Sequence, residues 1–99
     1  MARQSWIDEN TNEPLIDDYA KNLDSFLETF ADGIVNEEEL QAQETRLIDL
    51  MKESEPKLDD ELHAKITRLL CELSAYDIMQ YTYEIQEAKT QSRILGLVL

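Results

Sequence analysis

Glycine and proline are nearly missing, with two of each in 99 residues. A sandwich or barrel needs such residues at its many turns, so that scarcity excludes an all-β fold and favours long helices. Cysteine occurs once, as Cys71. One thiol closes no internal disulfide, and a reducing, cytoplasmic setting is expected. Cys71 follows Leu69 and Leu70 in an apolar run, which predicts a small buried hydrophobe. Histidine also occurs once, as His63, so the sequence holds no zinc-type Cys/His cluster. No charged-then-apolar leader opens the sequence, and no apolar run nears the roughly 18 residues of a membrane span. A Gly-rich phosphate loop and a Ser/His/Asp set are both lacking, so a non-catalytic role is expected.

Basic residues are few. Lys and Arg total 9 against 22 Asp and Glu, for a net charge of -13. The imbalance is all in one part of the chain. Residues 1–61 carry 18 acids and 5 bases, whereas residues 62–99 carry 4 of each. The acidic part repels phosphate, which argues against direct nucleic-acid binding. It suits a solvated face, a basic partner or cations.

Apolar residues make up 42% of the chain, enough for one modest core. The expected fold is all-α: a small antiparallel bundle of three or four helices in a single domain over 1–99. Residues 1–13 are polar apart from Trp6 and Ile7 and read as an extended arm. Pro14 suits the first position of a helix, and Leu15, Tyr19, Leu23, Phe26, Leu27 and Phe30 repeat at helical spacing. These predict a helix over 14–31, stopped at Asp32-Gly33. Asn36 with Glu39 forms a capping box, flanked by the staple pair Val35 and Leu40. A second helix follows over 37–53, with Leu40, Leu47, Leu50 and Met51 turned to the core, and Pro56 lies beyond its end. Asp59, Asp60 and Glu61 open a third over 59–89, with a stripe of Leu62, Ile66, Leu69, Leu70 and Leu73. Ser74-x-x-Asp77 allows a break near Ser74. The helical core thus covers 14–89, and an apolar tail covers 90–99.

Residues 76–85 are apolar on two sides. At about 100° per residue, Tyr76, Met79 and Tyr83 continue the third stripe, while Ile78, Tyr81 and Ile85 fall roughly opposite. Such a segment is either central in its own fold or covered by another chain. The expected function is therefore a protein–protein interaction or oligomerisation module, with a second copy as one partner. Its surface would comprise those six residues and Leu95, Leu97 and Leu99 of the tail.

The other candidate lies at the acidic turn. Counted from Glu28, a glycine falls at position six (Gly33), an aliphatic at eight (Val35) and a glutamate at twelve (Glu39). The segment resembles a degenerate EF-hand loop. That resemblance implies a weak Ca²⁺ or Mg²⁺ site with side-chain oxygens from Glu28, Asp32, Asn36 and Glu39 and the carbonyl of Ile34. Phe30 replaces an oxygen ligand at position three. Residues 30–39, Phe-Ala-Asp-Gly-x-Val-x-x-x-Glu, are also similar to the helix–turn–helix of TerB-like tellurite-resistance domains, which implies an all-helical stress-linked or scaffold protein. Capping alone accounts for the same residues. Asp60-x-x-His63 lacks the second acid–histidine pair that a di-iron bundle requires. An acidic nucleic-acid mimic that blocks a basic protein is a third reading, resting on charge alone.

Millimolar Ca²⁺ is expected to leave the melting temperature nearly unchanged, because Phe30 removes a ligand from the loop. Thermal melts with Ca²⁺ and with chelator check this. A stabilisation near 2.7 kcal/mol, the value for a ligand at 100 times its Kd, that disappears in Glu39→Gln would instead establish a cation site.

Overall fold

The computed structural model describes residues 3–94, apart from the side chains of Asp32 and of residues 92–94. The chain is all-α. Its helices are α1 (Ile16–Lys21), α2 (Asp24–Thr29), α3 (Glu37–Ser54) and α4 (Asp60–Ile94), with single 3₁₀ turns at Phe30–Asp32 and Glu55–Lys57. Two compact units divide between Lys52 and Glu53. Each is described by itself.

The first unit opens on a loop, where an extended arm was expected. Asp8 Oδ1 accepts the N–H groups of Asn10 (2.8 Å) and Thr11 (3.2 Å), an Asx turn. The N–H of Asn12 reaches the Asp8 carbonyl at 2.8 Å, and Asn12 takes a left-handed φ of 63°. Asparagine is one of the few non-glycine residues that accept that conformation readily. The turn reverses the chain, so Ile7 pairs with Pro14 in an isolated antiparallel bridge. The bonds run from Asp8 N–H to the Glu13 carbonyl and from Leu15 N–H to the Trp6 carbonyl, at 2.9 and 2.8 Å. Pro14 thus sits where no N–H is demanded of it, and it does not begin the helix. The Tyr19 hydroxyl donates to the Ser5 carbonyl and ties the loop to α1.

The helix expected over 14–31 is also interrupted. Asn22 Nδ2 donates to the Asp18 carbonyl at 3.0 Å. The N–H groups of Asn22 and Leu23 turn to Tyr19 and Ala20, three residues back, rather than four. Short polar side chains compete with the helical ladder in this way, and a tightened last turn follows. Leu23 is extended (φ -68°, ψ 134°), and α2 begins after it. Phe26 stacks on Phe30 with centroids 4.4 Å apart, which joins α2 to the first 3₁₀ turn.

Gly33 closes that turn at φ 73°, its N–H on the Phe30 carbonyl at 3.2 Å. The expected capping box is formed at α3. Glu39 N–H donates to Asn36 Oδ1 at 2.8 Å, and Asn36 N–H donates to Glu39 Oε1 at 3.1 Å. The staple pair Val35 and Leu40 is exposed. So are Leu47, Leu50 and Met51, expected in a core.

In the second unit, Asp59 Oδ1 accepts the Leu62 N–H at 2.8 Å and caps α4. The helix then runs 35 residues without interruption. It continues through Ser74 and past the expected end at Lys89. Neither glycine nor proline occurs between Asp60 and Ile94, so nothing in the backbone stops it. Thr82, inside this helix, turns its hydroxyl back to the Ile78 carbonyl at 2.8 Å. Among the described residues none is buried, so neither unit has a closed core of its own.

Asn36→Ala should cost about 1 kcal/mol, since it removes the acceptor for an otherwise unmatched N–H. Amide exchange at residues 37–40 should rise with it. Unchanged exchange and coincident urea midpoints would show that the cap does not matter.

Candidate functional site

The strongest candidate is the surface of α4. A helix of 35 residues spans about 52 Å, and its apolar positions follow its full length. Over residues 76–85 both opposed sides meet solvent. Met79 and Tyr83 on one side are 69% and 60% exposed, and Ile78 and Tyr81 on the other are 67% each. Tyr76 and Ile85 are exposed as well. Leu95, Leu97 and Leu99, expected to extend this surface, lie outside the described residues.

The surface reaches further toward the N-terminus than the sequence suggested. Leu62, Leu69 and Leu70, read as core, are exposed. Ile66 and Leu73 are half-buried. Cys71 is exposed too, which corrects its expected burial. The neutral charge of residues 62–99 was the available signal. That segment carries none of the chain's acidic surplus.

The start of α4 is fastened locally. His63 Nε2 lies 2.8 Å from Glu55 Oε2, so the first turn of α4 is pinned to the 3₁₀ turn that precedes it. Both side chains are exposed to a large degree. Lys65 pairs with Glu61 at 3.8 Å, one helical turn apart. His63 is engaged with Glu55.

At the acidic turn, Asn36 and Glu39 spend one side-chain oxygen each on the other's backbone. Glu28 stands in α2 and Ile34 in the turn. The Asp32 side chain lies outside the described residues. Among the described residues no group of three or more His, Cys, Asp or Glu side chains is placed to hold a metal ion. Nor is any helix there long and apolar enough to cross a membrane.

No family model, curated protein or solved structure matches the chain.

The two fastenings at the start of α4 should differ in weight. Asp59→Ala removes an N-cap and should cost about 1 kcal/mol. Glu55→Ala breaks an exposed pair and should cost under about 1 kcal/mol. Urea unfolding followed by far-UV circular dichroism ranks them, and the reverse order would overturn this assignment.

Proposed function

We propose that this chain is a small, acidic, helical protein–protein interaction or oligomerisation module that acts by binding rather than by catalysis. The observation that supports this most is the exposure of both sides of α4 over residues 76–85. Tyrosine and methionine are among the residue types enriched in interface cores. Exposed together on one helix, they form a larger apolar patch than a protein usually leaves in water. The charge distribution supports the same reading. The neutral segment 62–99 offers contact without like-charge repulsion, while residues 1–61 hold the -13 that keeps an assembly dispersed.

Sedimentation equilibrium of the full chain, with the chain also used as bait in a lysate, tests the reading. Association with itself or with a partner is expected. Substitution of the side that carries the contact, Tyr76→Glu with Tyr83→Glu or Tyr81→Glu with Ile85→Glu, should release it. Helical content should remain, because these side chains fill no core. A monomer at high micromolar concentration that also retains nothing from lysate would end the proposal.

A further inference from the structure

We infer that α4 pairs with α4 of a second copy of this chain in antiparallel fashion, about a two-fold axis at Tyr76. This deepens the interaction-module reading and rests on it. The stripe runs through Leu62, Ile66, Leu69, Leu73, Tyr76 and Tyr83, at spacings of three, four or seven residues. Charges interrupt it, among them Glu84 at the azimuth of Ile66, eighteen residues away, and two nearer its centre line. Lys65 and Glu87 each stand eleven residues from Tyr76, one on either side. Eleven residues are three turns, so both lie within about 20° of Tyr76 around the helix. Both are exposed. A partner seated on this stripe must therefore meet a cation at one place and an anion about 33 Å away.

A second copy in antiparallel orientation supplies both. With Tyr76 opposite Tyr76, each Lys65 faces the partner's Glu87, and each Glu87 faces the partner's Lys65. The same operation sets Leu69 against Tyr83 and Leu73 against Met79, while Ile66 and Leu62 meet Gln86 and Thr90. A parallel, in-register pair would do the reverse. It would place lysine on lysine and glutamate on glutamate inside the seam.

The charges beyond the stripe agree. The start of α4 and the turn before it are acidic, with Glu55, Asp59, Asp60 and Glu61 against Lys57 alone. Parallel pairing would bring two such ends within about one interhelical spacing, 8–10 Å, about a Debye length, where salt screens their repulsion only in part. Antiparallel pairing separates them by most of the helix length. It also sets Lys89 near the partner's acidic end. An isologous contact of this kind closes on itself and needs no other component.

Charge reversal in the full chain tests the register. Lys65→Glu and Glu87→Lys should each raise the dimer dissociation constant on the order of tenfold, since each turns two attractive pairs repulsive. The double variant should return it to within about threefold of the unmodified chain. In a Cys71→Ser background, Lys65→Cys chains mixed with Glu87→Cys chains should cross-link to each other in preference to themselves. Circular dichroism confirms that helicity is kept. Additive losses in the double variant, or cross-links between like positions, would overturn the antiparallel register and leave the interaction module standing. A monomer at high micromolar concentration would overturn self-pairing, and a partner retained from lysate would not rescue it. If that monomer retains no partner either, the broader reading falls as well.

Discussion

A helix leaves its first four N–H groups and last four C=O groups without partners inside itself. In a protein with a core, burial covers part of that cost. Here no described side chain is buried, and neighbouring residues must close each helix end. Asn36 and Asp59 do so for the two long helices, and Gly33 closes the turn before α3. Loss of one such cap therefore weighs more here than in a domain where tertiary packing holds the same helix. The short helices show the limit. Six residues are too few for a helix to persist alone in water. α1 and α2 depend on their mutual contact, on the Phe26–Phe30 stack and on the Tyr19 bond to Ser5.

The same absence of burial explains the distribution of charge. A chain with -13 repels copies of itself wherever the surplus is spread. Confining the surplus to residues 1–61 leaves α4 free of that repulsion after its first turn. α4 is also the element with the most apolar surface to cover. Length, neutral charge and exposed apolar residues coincide on one helix, and that coincidence is what supports the proposed association.

Helix boundaries set by capping were legible in the sequence because a cap is a local event. Val35-Asn36-x-x-Glu39-Leu40 and Asp59-Asp60-Glu61 name their own geometry within a few residues, as does Gly33. The loop over residues 8–12 was legible in principle. Asp8, Asn10, Thr11 and Asn12 are turn formers, but their polarity alone suggested an arm. The break at Asn22 was hidden by hydrophobic periodicity that continues across it from Tyr19 to Leu23 and Phe26. One side-chain bond to Asp18 decided against that pattern. Ser74 is the converse. Its capping signature lies inside a segment with no backbone breaker, and the ladder continued. At the candidate site, periodicity grouped the apolar residues of α4, yet it assigned Leu62, Leu69 and Leu70 to a core although they are exposed. Spacing identifies a face without identifying what covers it.

The two opposed sides of residues 76–85 limit how any assembly can be built. One partner helix covers one stripe of a helix, roughly a third of its circumference. Ile78, Tyr81 and Ile85 lie about half a turn from Tyr76, out of reach of whatever covers Tyr76. A two-chain pairing on the Tyr76 stripe thus leaves the second side in water. Each side then needs its own cover, and the two covers need not be alike. The Tyr76 side carries Lys65 and Glu87 within its stripe and can set a register. The opposite side has no charge between Ile78 and Ile85 in line with them, so it favours contact without fixing direction. In the proposed pairing, selectivity on α4 accordingly comes from the first side, and the second adds apolar area to an arrangement the first has already chosen.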